Sequence, residues 1–127
     1  MVRLPTVQLV GAQTAGTSAI ADWLSEEGGF FRPKVFDGEP WYYSKEVHFF
    51  DLRERFDKGI EFYAHRFSRD MLQTMDATPD SLAFADRVHS SYKSAGADQL
   101  AAVKIIVVLR EPVSRELSLY NHLTFDC

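Results

Sequence analysis

Cysteine occurs once, as Cys127, which excludes an internal disulfide and any metal site built from several thiolates. No stretch approaches the ~20 apolar residues of a membrane-spanning helix, and the opening residues lack the apolar core of a signal peptide. The chain as read is therefore expected to be soluble and to make no membrane contact of its own. A basic excess is also missing: the formal net charge is −4, so no general affinity for nucleic acid is expected. Local basic clusters still suffice for a small anion. Repeats and low-complexity tracts are absent, which excludes solenoids and disordered arrays. What remains is 127 residues with 46% hydrophobic and 25% charged side chains, enough to bury one domain core. Cys127 follows directly on a strong helical pattern, and we expect the N-terminal part of a larger domain.

Residues 6–10 (TVQLV) are rich in β-branched side chains, lie between Pro5 and Gly11, and read as a buried strand. A small-residue turn follows, then a helix over residues 17–27 with Ile20, Trp23 and Leu24 on one face and Gly28-Gly29 as its stop. Strand, glycine turn and helix together open a βαβ unit. Pro33, Gly38 and Pro40 break residues 30–44 into an aromatic loop, and residues 46–50 read as a short extended segment. Two short helices are expected over 51–56 and 59–67, the second with Ile60, Tyr63 and Phe67 on one side. Residues 75–84 contain Thr78-Pro79 and read as extended chain or turn; residues 85–102 read as helix with a break near Gly96. Residues 103–109 (VKIIVVL) have the near-continuous apolar run of a central parallel strand covered on both faces. Pro112 then opens a helix whose stripe is Val113, Leu117, Tyr120 and Leu123. Alternating strands and helices imply an α/β fold with a parallel sheet, in which ligands bind beyond the carboxyl ends of the strands.

Chemistry concentrates at those strand ends. The segment G-A-Q-T-A-G-T-S, Gly11 to Ser18, joins a strand to a helix whose first N–H groups are unsatisfied and carry the positive end of its dipole. Gly11 and Gly16 permit a tight turn around an anion, and Thr17 and Ser18 add hydroxyl donors. The same residues also describe a plain strand–helix connection capped by Thr17. Read as a nucleoside-triphosphate loop, G-x-x-x-x-G-K-[ST], the segment has Thr17 where the lysine belongs, which disfavours a kinase or ATPase. After the second strand comes R-E-P-V-S-R-E-L-S, with Arg110 at the sheet edge and Ser118 about two helical turns on. A guanidinium fork and a hydroxyl suit a phosphate monoester. Pairing of Arg110 with Glu111 or Glu116, and a solvated Ser118, are the ordinary alternatives. In Lys45-Glu46-Val47-His48-Phe49-Phe50-Asp51, alternation puts Glu46 and His48 on one face of an extended chain. Apolar flanks would raise the Glu46 pKa and suit it to proton abstraction, although a solvated or structural role fits a lone Glu or His as well.

Taken together these segments resemble the sulfotransferases that use 3′-phosphoadenosine-5′-phosphosulfate (PAPS), most of all the heparan sulfate (glycosaminoglycan) branch. The family pairs a 5′-phosphosulfate loop G-x-x-K-x-G-T with a 3′-phosphate loop containing R-[DE]-P and a serine eight residues after the arginine. It also carries K-E-x-H-F-F-D and K-G-[IL]-x-[WF]-Y, matched here by Lys45 to Asp51 and by K58-G-I-E-F-Y63. The resemblance runs in register from Val7 to His122. It implies a P-loop-like sulfotransferase fold, α/β and here incomplete, with PAPS as donor, the bisphosphate PAP as product and no metal. The implied acceptor is a polysaccharide or other carbohydrate; the family's glycan enzymes reside in the Golgi lumen. By the same resemblance the catalytic positions are Glu46 (general base), His48 and Thr14. The donor is held by Gly11, Gln13, Thr14, Ala15, Gly16, Thr17 and Ser18 at one end and by Arg110 and Ser118 at the other. Two family lysines are replaced, one by Thr14 and one by Ala77. Losing such a cation typically costs about a hundredfold or more. The implied rescue is a cation from the neighbouring loop, Lys45, Lys34 or Arg32.

Overall fold

Aliphatic residues with a two-residue period make the opening segment extended. In the computed structural model, which describes residues 2–13 and 15–125, it forms β1 (Val7–Gly11), buried at every position. Two further strands, β2 (Met75–Asp76) and β3 (Lys104–Val107), pair with it in parallel, giving the order β2-β1-β3. This is the expected α/β arrangement, with β1 at its centre. Between β1 and β2 the chain forms α1 (Thr17–Glu26), a 3-10 turn at Trp41–Ser44, and the short helices α2 (Arg53–Phe56) and α3 (Ile60–Ala64). A 3-10 segment, Pro79–Phe84, then leads to α4 (Ala85–Ala95) and α5 (Ala97–Ala102), which meet at Gly96 as its position foretells. After β3 the chain ends in α6 (Pro112–Phe125). Among the described residues no helix is long and apolar enough to cross a membrane.

The alternation along β1 sorts the core into two layers. Val7 and Leu9 pack with Ala21 and Leu24 of α1 and with Met75 and Ala77. Gln8 points to the opposite face, where Tyr63, Phe67, Val88 and Tyr92 of the helical layer meet Val47, Phe49 and Phe50. Tyr63 stacks on Phe49 with centroids 4.5 Å apart. Three sequence expectations change here. Trp23 was placed on the packed face of α1, but it is 61% exposed, and Thr17, Ala21 and Leu24 form that face instead. Residues 46–50 form irregular chain leading into a turn at 49–50 rather than an extended segment, because His48 takes a left-handed backbone (φ 57°). The apolar run around β3 belongs to an edge strand, with Ile105 and Val107 nearly half exposed. A run apolar on both faces reads as doubly covered. Among the described residues, however, only β1 pairs with it. The α6 stripe of Val113, Leu117, Tyr120 and Leu123 has the expected helical spacing but lies more than half exposed.

A buried polar network ties the layers together. Gln8 Nε2 donates to the hydroxyls of Tyr63 (2.7 Å) and Tyr92 (3.0 Å), and the Tyr92 hydroxyl donates to the Pro5 carbonyl. The Tyr63 hydroxyl donates to Asp76, whose other carboxylate oxygen accepts from the Thr78 hydroxyl and the Val47 N–H. Burial pushes the Asp76 carboxyl above its ordinary pKa, and the hydrogen bonds from Tyr63, Thr78 and Val47 pull against that rise. Removing one member leaves buried groups unsatisfied, at about 1–3 kcal/mol. Tyr63→Phe, which keeps the stacked ring, is therefore expected to lower stability by about that amount in urea unfolding. An unchanged midpoint would show that the network carries no stability.

Candidate functional site

The two strand ends singled out by sequence leave the sheet side by side. Ala12 N–H donates to the Val108 carbonyl (2.8 Å), and Val108 N–H donates to the Gly11 carbonyl (2.7 Å), so both loops start from one laced edge. Gly11 passes so close to the 3-10 segment that a β-carbon there would lie 2.6 Å from the Pro79 carbonyl oxygen. Gly16 stands at the N-cap of α1 with φ 92°, a conformation that favours glycine, and no side chain caps the helix. Its first-turn N–H groups therefore remain available to an anion. Ala15 N–H closes the turn onto the Ala12 carbonyl, Thr17 is buried, and Ser18 is exposed. Thr14 lies outside the described residues.

These residues share an open cleft of about 590 Å³ with the other predicted groups. It is lined by Gln13, Gly16, Thr17 and Ser18 after β1, by Glu46 and His48, by Pro79 and Asp80, and by Arg110 and His122. Thr17 and Arg110 thus border the same cavity. Ser118, half-buried on α6, is not among the described residues that line it. Glu111 accepts from the Val113 and Ser114 N–H groups and also feels the charge of Arg110, while Glu116 pairs with Arg115 at 3.1 Å. Arg115 of α6 also donates to the Gln13 carbonyl and so ties the loop after β1 to that helix. A cavity of about 640 Å³ lies elsewhere, bordered by Arg3, Lys34 and His65, but it contains none of the loop residues. That cavity is charged as well; what distinguishes the cleft is that both strand-end loops open into it.

The catalytic candidates form a charged chain. Glu46 lies 3.6 Å from Lys45 Nζ and 3.7 Å from His48 Nε2, while His48 Nδ1 meets Asp51 at 2.8 Å. His48 N–H donates to the Thr78 hydroxyl and Val47 N–H to Asp76, so the left-handed turn hangs on the buried network. Hydrogen bonds to Asp51 and Glu46 push the His48 pKa up to about 10, against the opposing effect of burial. Burial alone would raise Glu46, but the hydrogen bond to His48 and the charges of Lys45 and His48 outweigh it. Glu46 ends below the ordinary carboxylate value. This reverses the expectation of a raised pKa, because the flanking apolar residues turn into the core while the carboxylate faces two cations. Asp80 is raised, first by burial and then by the negative charges of Asp51 and Glu46.

Asp51, Asp80 and His122 join the site without having been singled out by sequence. Asp51 sits in the quoted motif, and its spacing of three from His48 was the available signal. One ligand atom from each of His48, Asp51 and Asp80 lies within 4.8 Å of the others, the reach of a single cation. The protonated His48 is held between the carboxylates of Asp51 and Glu46, with Asp80 4.0 Å from its Nδ1.

No family model matches the chain. It is 28% identical over 123 residues to human heparan sulfate glucosamine 3-O-sulfotransferase 5, covering 95% of this chain and 31% of that protein. It is 34% identical over 131 residues to human bifunctional heparan sulfate N-deacetylase/N-sulfotransferase 2 and 27% identical over 121 residues to its Caenorhabditis elegans counterpart 1. Those alignments cover 94% of this chain and 13% of each relative. The chain thus spans about a third of the length of the 3-O-sulfotransferase and less of the others. The resemblance read from the motifs stands across nearly the whole chain.

The His48 geometry has a measurable consequence. Its folded pKa lies above the unfolded value, so its stabilising effect is complete below about pH 6.5 and fades as pH rises through about 10. Nitrogen-detected NMR of the imidazole should find it protonated through pH 8. Asp51→Asn should lower the midpoint by about a unit or more. A wild-type midpoint near the ordinary histidine value would contradict the assignment.

Proposed function

We propose that this chain, whose sequence kinship is with the heparan sulfate sulfotransferases, carries the donor-binding and proton-accepting part of a PAPS-dependent sulfotransferase acting on a carbohydrate. The observation that carries this reading is the single cleft bordered by the Gly16–Ser18 loop, Glu46 and Arg110. The residues suit the donor chemically. Uncapped first-turn N–H groups of α1 and the Ser18 hydroxyl offer hydrogen bonds to the 5′-phosphosulfate, and Arg110 brings a guanidinium for the 3′-phosphate. In this reading the site has no metal and uses protein groups alone.

When bound, the donor supplies a sulfuryl group that passes to the acceptor, the bond from sulfur to the bridging oxygen breaking as the new one forms. Glu46, ionised because of its two cationic neighbours, takes the proton from the attacking hydroxyl or amine. His48⁺ fixes the carboxylate from one side and is itself fixed by Asp51. A lowered pKa makes Glu46 a weaker base but keeps it ready at neutral pH. The family resemblance favours a polysaccharide acceptor, such as a heparan sulfate-like chain.

A second reading, a relative that binds PAPS or PAP without turnover, draws on Thr14 and Ala77 where the family has lysines. Transfer of radiolabelled sulfate from PAPS to a panel of polysaccharides divides the two. With activity present, Glu46→Ala should lower transfer by about a hundredfold or more while leaving PAP affinity nearly unchanged. A comparable loss of PAP affinity would remove Glu46 from the role of base.

A further inference from the structure

The phosphate loop carries no lysine, yet sulfuryl transfer leaves negative charge on the departing phosphate that a hydroxyl stabilises poorly. Of the three nearby cations named by sequence, two point elsewhere. Arg32 is bound to Asp22 (2.6 Å) and Ser25 (3.2 Å) on the outer side of α1. Lys34 borders the separate cavity beside Arg3 and His65. Lys45 alone reaches the loop: its ammonium donates to the Ser18 hydroxyl at 2.6 Å, one residue into the first turn of α1. Its backbone is anchored where the second lysine is missing, since the Ala77 N–H donates to the Lys45 carbonyl (3.1 Å). Ala77 itself is fully buried.

We infer that Lys45 is the cation of the 5′-phosphosulfate subsite, the catalytic residue that neutralises the leaving phosphate in place of a loop lysine. The inference rests on the donor-binding reading above and deepens it. Lys45 is shared between Ser18 and Glu46, which lies 3.6 Å away, and the sharing is functional. While Glu46 is ionised, it holds part of the ammonium's field. Once Glu46 has accepted the acceptor's proton it is neutral, and that field turns wholly to the phosphate as the bond from sulfur to bridging oxygen breaks. The proton ends on Glu46, the sulfuryl group on the acceptor, and the electron pair of the broken bond on the bisphosphate beside Lys45.

The test is equilibrium binding of adenosine 3′,5′-bisphosphate, adenosine 5′-monophosphate and adenosine 3′-monophosphate to the wild-type chain and to Lys45→Met, which keeps most of the apolar stem. Loss of a charged hydrogen bond should weaken the two 5′-phosphate ligands by about ten- to a hundredfold and leave the 3′-monophosphate nearly unaffected. Lys45→Arg should recover part of the loss. Amine acetylation read by mass spectrometry gives a check without a variant: the bisphosphate should protect Lys45 and spare Lys34. Wild-type binding of the bisphosphate with no Lys45 protection, or with equal affinity in Lys45→Met, would overturn the role of Lys45 while leaving the cleft assignment intact. No binding of the bisphosphate to wild type would overturn both.

Discussion

The buried carboxylate of Asp76 is the contact on which the site depends. It lies at the carboxyl end of β2, accepts from Tyr63 of α3 and from Thr78, and holds the Val47 N–H. Gln8 on the central strand reaches the same Tyr63 hydroxyl and, through Tyr92, the face of α4. The sheet, the α3–α4 layer and the Lys45–Asp51 turn therefore share one hydrogen-bonded cluster. A charge-bearing group so deeply buried is costly unless every lone pair is met, and that cost is what makes the arrangement specific. If the turn were one residue out of register, Val47 and Phe49 would leave the core while Glu46 and His48 entered it.

Above this anchor the site is a short row of alternating charges. From Ser18 the order is Lys45, Glu46, His48 and Asp51, with Asp80 at 4.0 Å from the histidine. Each carboxylate is next to a cation and each cation next to a carboxylate. Such a row is stable without ligand, unlike an isolated lysine facing an empty phosphate pocket. It also responds as a unit. In the proposed reaction, protonating Glu46 would free the field of Lys45 on one side and of His48 on the other, so that accepting a proton and stabilising a leaving group would be parts of one electrostatic event.

The elements that were legible in the sequence are those whose signal is local. β1 shows a buried run between Pro5 and Gly11, the α4–α5 break falls at Gly96, and Ile60, Tyr63 and Phe67 pack into one cluster as their spacing implies, although α3 ends at Ala64, short of Phe67. The alternation of Val47 and Phe49 with Glu46 and His48 identified the correct faces even though no strand forms there. What fixes that segment is the left-handed turn and the distant Asp76, neither of which leaves a periodic trace. β2 has only two residues, too few for any pattern. The ionisation of Glu46 was misread for the same reason: apolar neighbours in sequence point away from it, and the cations that matter are seen only once the turn is folded. Asp51 stood in plain view within the motif, while His122 and Arg115 reach the site through the packing of α6 onto it.

The two ends of the cleft have unequal mechanical support. The Gly16–Ser18 loop springs from a strand buried at all five positions and is backed by Ala21 and Leu24 of α1. Arg110 follows an edge strand, and Ser118 rides on α6, whose apolar stripe is largely exposed. Positional precision in a binding site comes from the packing behind it. The Gly16–Ser18 loop is therefore preorganised by the chain's own core, whereas Arg110 depends on the laced strand ends and on the Arg115–Gln13 bond for its placement.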